Sequence, residues 1–294
     1  MNEIFNDIKA SFKEGSYLTK IIYVNLAIFV FVNLLSSFAF LFSANTPDII
    51  DWLALPADFG KIITRPWTLI TYMFLHEGFI HILFNLLWLY FGGKIFQDLL
   101  GEKRLLSLYI LGGLCGGFLY ILAYNIFPRF NDVLPIARAL GASASVMAII
   151  VGIATKVPNY TVNLIFLGNV KLKYIAIVFV SLDLISFQDG NAGGHIAHLG
   201  GALFGFFYIR QLNQGKDWSI WFYKWASAFR SLFKGSGKRK IKVVYNKKSG
   251  KTAHAKKRSD QAVVDTILDK ISKSGYDSLT KEEKDILFKA SQNQ

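Results

Sequence analysis

The stretch ALGASASVMAIIVGIATK, Ala139 to Lys156, decides how the rest of the chain is read. It opens on small residues around two serines, Ser143 and Ser145, and runs on as an apolar segment that stops at a lysine. From Ser143 to Lys156 a helix covers only about 20 Å at the usual rise per residue. Bilayer hydrocarbon is about 30 Å thick. Either this run is not a span, or the chain before it dips into the membrane. Irregular backbone at that depth survives only where it is buried in protein or lines a wet cavity. A dipping chain therefore predicts a water-filled cavity with Ser143 at its floor.

Composition places the stretch in a membrane protein. The 294 residues are 52% hydrophobic, include 26 Phe and are only 18% charged. The net charge of +13 sits in one segment: residues 218 to 259 hold 13 Lys/Arg and no acid, and elsewhere 20 basic residues balance 20 acidic ones. That segregation fits a polytopic membrane protein with a basic tail and excludes a basic globular domain. The single cysteine, Cys115, rules out an intramolecular disulfide. The first apolar run, from Ile21, has no small-residue cleavage signature after it and reads as a retained span.

Six apolar segments emerge, near 21–43, 79–97, 104–126, 143–155, 173–187 and 194–211. Basic residues near the span ends orient them. Lys9, Lys13, Lys20, Lys94, Lys103, Arg104, Lys156 and Lys171 fall on one side if both termini are cytoplasmic. The predicted fold is an all-α six-span bundle over 21–211 after a cytoplasmic segment 1–20, in a bacterial inner membrane. The outer loop 44–78, with Trp52 and Trp67, is expected to lie partly in the interface. Trp218, Trp221, Phe222 and Trp225 recur at helical spacing, so 212–234 reads as an interfacial amphipathic helix. A basic linker, 235–258, is expected to sit against anionic lipid. Nucleic acid is not an expected partner, because no aromatic platform accompanies the basic run. Residues 259–294 read as a small helical module for a cytoplasmic partner, with a capping box of Thr280 and Glu283.

Four histidines lie in or beside apolar segments: His76, His81, His195 and His198. Ionisable groups at membrane depth are costly and are functional candidates by default. His81 and Asn85 are at i and i+4 and share a helix face. His195 and His198, at i and i+3, also share one, and Gly201 with Gly205 permits a close helix contact beside them. The bland readings are helix–helix glue for His81 and Asn85, and N-capping for Ser143. Together these residues suggest more. A serine hydroxyl needs a base beside it, an imidazole is the usual one, and a developing oxyanion needs preorganised donors. Ser143, His198, and His81 with Asn85 supply all three. Ser145, about 200° around the helix from Ser143, cannot face the same imidazole.

On HILFN (81–85), GAS (141–143) opening the fourth segment, and AHLGG (197–201) followed by Gly205, the sequence resembles the rhomboid family of intramembrane serine proteases. The resemblance covers about 21–211. It implies a six-helix bundle with a short central fourth helix, Ser143 as nucleophile and His198 as base in a dyad without an acid. His81 and Asn85 become the oxyanion-stabilising side chains, Gly141, Gly201 and Gly205 supporting glycines, and transmembrane proteins the substrates. No cofactor or metal is implied. Where the family often has an aromatic clamp on the base, this chain has Met147. Where it commonly has Trp-Arg in the outer loop, this chain has Trp67-Thr68, with Arg65 as a candidate replacement anchor. Asp183 in the fifth segment is a candidate third member, but a cavity-facing or snorkelling carboxylate is the preferred reading. The competing functions are a non-catalytic binding scaffold and a metal protein using the four histidines.

Overall fold

The computed structural model describes residues 2–42, 49–164, 168–188, 190–233 and 263–291. The chain divides into two compact units, 1–233 and 234–294. The basic linker, 235–258, lies outside the described residues.

The first unit is helical. Helix α1 (Asn2–Glu14) precedes α2 (Tyr17–Leu41), which Ser16 caps by accepting from the Thr19 N–H. Three short helices follow: α3 (Ile49–Leu53), α4 (Phe59–Thr64) and α5 (Thr68–Thr71). Helices α6 (Phe79–Leu100) and α7 (Glu102–Ile126) meet at Gly101, whose φ of +88° needs a glycine. Helix α8 (Ser143–Lys156) is short, as expected, and α9 (Leu172–Ile185) and α10 (Ala192–Asn213) complete the bundle. Three of these, α2, α6 and α7, are long and apolar enough to cross a membrane.

Helix α8 lies in the middle. Ten of its 14 residues are buried. Small residues put it there. Ala144 and Ala148, one turn apart, face glycines on two neighbours. On α10, a Cβ at Gly201 would run into the Ala144 carbonyl, and one at Gly205 into the Ala148 carbonyl. On α7, a Cβ at Gly116 would come within 2.5 Å of the Ala144 methyl, and one at Gly112 would meet that of Ala148. Lipid tails offer no hydrophobic drive for helix association, so close van der Waals contact between backbones takes that role.

Two small antiparallel pairs modify the all-α expectation. β1 (Leu55–Pro56) pairs with β2 (Arg138–Ala139), Leu55 opposite Ala139. β3 (Thr161–Leu164) pairs with β4 (Gly168–Lys171) between α8 and α9. Val162 opposite Val170 supplies the β-branched cross-strand contact that such a ribbon needs. The first pair has a structural consequence: it fastens the loop before α6 to the chain approaching Ser143. The Ala57 N–H donates to the Ala137 carbonyl, and Arg138 bridges Asp51 and Glu77. The outer loop also holds itself. Trp52 and Trp67 stack with ring centroids 6.1 Å apart, Trp67 Nε1 donates to the Trp52 carbonyl, and the Arg65 guanidinium lies over the Trp52 ring. Arg65 thus takes the anchoring place proposed for it.

Helix α11 (Trp218–Phe233) is tied to the bundle through Asp217, which accepts from Arg104 Nε at 2.8 Å and from the Ser219 N–H at 2.9 Å. Trp218 packs on Phe204 and Tyr208, while Trp221 and Trp225 are exposed. This is the division of faces an interfacial helix requires.

In the second unit, α12 (263–274) and α13 (Lys281–Ser291) flank a short turn. The capping box forms: the Thr280 N–H donates to Glu283 Oε2 at 2.8 Å, and the Glu283 N–H to Thr280 Oγ1 at 3.3 Å. Lys270 of α12 clasps the same carboxylate at 2.9 Å.

Candidate active site

Serine 143 is the first residue of α8, and Ala142 before it stands at the cap position with helical backbone angles. The N-capping role weighed for Ser143 is therefore not the one it has. A hydroxyl at the first helical position is not aimed back at the helix's own N–H groups, and no side-chain cap bond is present. The turn ahead of it is fixed from the loop below. The Gly141 N–H donates to the Tyr72 carbonyl at 2.9 Å, and the Ala142 N–H points at His76 Nε2 at 3.5 Å. Gly141 has φ +123°, and a side chain there would meet His81 Nε2 at 2.9 Å and Ser143 Oγ at 3.5 Å. Serine and histidine thus flank one point, kept open by a glycine.

That point belongs to a cavity of about 940 Å³. Its wall brings together Ser143 and Met147 from α8, His81 and Asn85 from α6, Asp183 from α9, and His198 from α10. Every side chain expected to react or to stabilise charge faces this one space. Among the described residues no hydrogen bond joins Ser143 to His198. Such contacts are commonly long before substrate binds and tighten in the complex. Asn85 donates one amide hydrogen to the His81 carbonyl at 2.9 Å, which orients it and leaves the second hydrogen for another acceptor. Of the supporting glycines, Gly141 keeps the cavity open, while Gly201 and Gly205 act at the helix seam.

Ser145 is 0% exposed, and its hydroxyl has no hydrogen-bond partner among the described residues. It lies against Gly113 of α7, where a Cβ would come within 2.6 Å of Ser145 Oγ. The two serines of the opening stretch therefore face opposite ways, and only Ser143 reaches the cavity.

Two side chains named from the sequence take places in the site that local spacing did not assign. The loop residue His76 is 2% exposed and stands edge-on to His81, ring centroids 5.0 Å apart. Burial pushes its pKa down to about 4, with His81 adding to the shift and the Phe74 backbone opposing it. It is a neutral support beneath the Ser143 turn. The second is Asp183. Of its two preferred readings, cavity-facing holds and snorkelling does not: Asp183 lines the cavity, is 6% exposed, and its Oδ1 lies 2.8 Å from His195 Nδ1 and 2.8 Å from His198 Nδ1. These three residues also bring ligand-capable atoms within 4.8 Å of one another. Two donors on a tetrahedral zinc ion sit about 3.3 Å apart, given zinc–nitrogen bonds near 2 Å. The observed separations are hydrogen-bond lengths.

A model of the rhomboid domain matches residues 64–214, from the outer loop through the end of α10. The chain belongs to the rhomboid family. Among its relatives, rhomboid-like protein 12, mitochondrial, of Arabidopsis thaliana is 33% identical over 150 residues, 47% of this chain and 44% of that protein. Presenilin-associated rhomboid-like protein A, mitochondrial, of Danio rerio is 30% identical over 149 residues, 50% of this chain and 37% of that protein. Rhomboid protease GlpG of Klebsiella pneumoniae is 30% identical over 104 residues, 35% of this chain and 34% of that protein. The matches cover less than half the length of these curated relatives. Residues 252–293 match a second model, for a family of unknown function (DUF6576), at the C-terminal module. The family and the apolar helices establish an integral membrane protein with a rhomboid domain. The mitochondrial names of two relatives give no support to the bacterial inner membrane expected from the sequence.

Proposed function

We propose that this rhomboid protein is a serine endopeptidase that cuts transmembrane helices of other membrane proteins. The observation that carries the reading is convergence. A hydroxyl from α8, an imidazole from α10, and a donor pair from α6 line one cavity, while the neighbouring Ser145 is packed away.

The mechanism follows from those positions. His198 accepts the Ser143 proton as Oγ attacks a peptide carbonyl that a locally unwound substrate presents. The tetrahedral oxyanion sits among the Ser143 N–H, His81 and the second amide hydrogen of Asn85. The N–H groups in the first turn of α8 lack helical partners and lie at the positive end of the helix dipole, which suits an anion. His198 then gives its proton to the leaving nitrogen, and water takes the acyl group from Ser143. Met147, one turn on from Ser143, lines the same cavity as the base. Six spans carry this site, α2 and α6 to α10, with both termini on the cytoplasmic side and the cavity opening outward. Helix α11 rests in the inner interface, the basic tail contacts anionic lipid, and the C-terminal module recruits a cytoplasmic partner.

The test is labelling of the full chain in detergent by a fluorophosphonate, which reacts with activated serines. Ser143→Ala and His198→Ala abolish labelling. Asn85→Ala lowers the rate by about 10²-fold, as for the loss of one oxyanion donor. Equal labelling of the parent and Ser143→Ala sinks the proposal.

A further inference from the structure

The mechanism above makes no use of the buried carboxylate on α9. We infer that Asp183 is a positioning residue: it holds His198 in the tautomer that proton transfer requires, and His195 in turn holds Asp183. This inference rests on the serine-endopeptidase reading and adds two residues to its Ser143–His198 dyad.

The chemistry is fixed by who can donate. A carboxylate oxygen accepts, so each Nδ1 carries the hydrogen in the 2.8 Å contacts to Asp183 Oδ1. A neutral imidazole protonated at Nδ1 has its lone pair at Nε2, on the far side of the ring from Asp183. His198 lines the cavity with Ser143, and Nε2 is the nitrogen left to face it. When Nε2 takes the Ser143 proton, the ring becomes an imidazolium whose Nδ1–H stays bonded to a carboxylate. The proton later leaves from Nε2 to the substrate nitrogen, and Asp183 gains none.

His195 explains why the arrangement is stiff. It lies one turn before His198 on the same helix, and the two rings stand at 88° with centroids 6.0 Å apart. Its Nδ1–H occupies the other lone pair of the same Asp183 oxygen. Asp183 cannot change rotamer without breaking both bonds, and at 6% exposure water is a poor substitute. His195 is not among the cavity-lining residues, which makes it a brace and not a second base.

The experiment measures fluorophosphonate kinetics of the full chain in detergent, together with histidine side-chain ¹⁵N spectra that report which ring nitrogen is protonated. Asp183→Leu removes the acceptor and fills its space. Its maximal labelling rate is expected to fall about 10²-fold or more, with the half-saturating probe concentration unchanged, and the His198 signal to leave the Nδ1–H form. Asp183→Asn keeps an acceptor oxygen without the charge. Its amide can also donate to Nδ1 and impose the wrong tautomer, so its rate is expected to fall by about 10²-fold or more as well, with the His198 signal shifted away from the Nδ1–H form. His195→Ala is expected to lose only a few-fold. If Asp183→Leu does not fold, Asp183→Asn decides alone. A parental rate in either Asp183 variant, with Ser143→Ala silent, overturns the inference and leaves the endopeptidase reading standing. Labelling that persists in Ser143→Ala removes both.

Discussion

Helices α2 and α8 are both strongly apolar, yet they occupy opposite environments. The best window of α2 has a mean hydropathy of 2.1 and is only 11% buried in the protein. Helix α8 is shorter, 14 residues, and most of it is inside. Hydropathy does not separate them, because lipid and protein interior are equally apolar. Spacing of small residues does. Ala144 and Ala148 recur at one turn on α8 and meet glycines at the same period on α7 and α10, whereas the exposed face of α2 carries bulky groups such as Phe31 and Phe38. Apolarity says a helix lies in the membrane; a four-residue period of small side chains says it lies at the centre, where the chemistry is.

The largest expected effect breaks the seam. Gly201→Val puts a side chain where the Ala144 carbonyl stands, one residue past Ser143. Backbone against backbone cannot repack cheaply, so α8 and α10 must separate, with the base on one and the hydroxyl on the other. Overpacking of this kind costs about 1–3 kcal/mol, and misplacement of reacting groups by about 1 Å can cost 10²-fold in rate. A thermal midpoint several degrees lower in detergent, with fluorophosphonate labelling reduced by at least that factor, is the predicted pair of results. Parental labelling in a folded Gly201→Val protein would show that the seam does not position the site.

A smaller effect sharpens the other half of the comparison. On α2, Val32 is 3% exposed and packs with Ala54 and Leu75, while its neighbour Phe31 is 63% exposed. Val32→Ala is expected to cost about 1–2 kcal/mol. Phe31→Ala removes far more carbon and is expected to stay within about 0.5 kcal/mol, because lipid surrounds the ring in the folded state. Reversal of that order in detergent melts would mean that α2 buries its exposed face against something in the membrane.

Much of this was legible because it is periodic along one helix. His81 with Asn85, His195 with His198, and Gly201 with Gly205 each share a face at helical spacing, so the sequence alone sets each pair side by side. The late start of α8 was legible from length alone. The same logic would have caught the glycine pairs Gly112–Gly113 and Gly116–Gly117 of α7, whose period was hidden by the apolar run around them. Asp183 was not legible in this way. It meets histidines 12 and 15 residues away, across a turn and on another helix, and no local spacing encodes that approach. The β3–β4 ribbon was missed because only Val162 of its first strand is buried, too little pattern for a strand. The capping role of Ser143 failed by a single residue, since Ala142 already has helical angles.

The smallest expected effect concerns the two serines of α8. Ser145 has the same side chain as Ser143 and sits two residues on, yet it is fully buried against Gly113 with no partner for its hydroxyl among the described residues. A buried hydroxyl without a hydrogen bond carries a desolvation cost of about 1–3 kcal/mol, which Ser145→Ala relieves while removing one atom from a tight contact. The variant is therefore expected to melt at the parental temperature or slightly above it, and to label with fluorophosphonate at the parental rate. The assignment of faces fixes this outcome: a residue turned toward α7 cannot take part in chemistry that happens between α8 and α10. A loss of labelling in Ser145→Ala without loss of stability would mean that α8 is rotated in the working protein, and that the wrong serine faces the cavity.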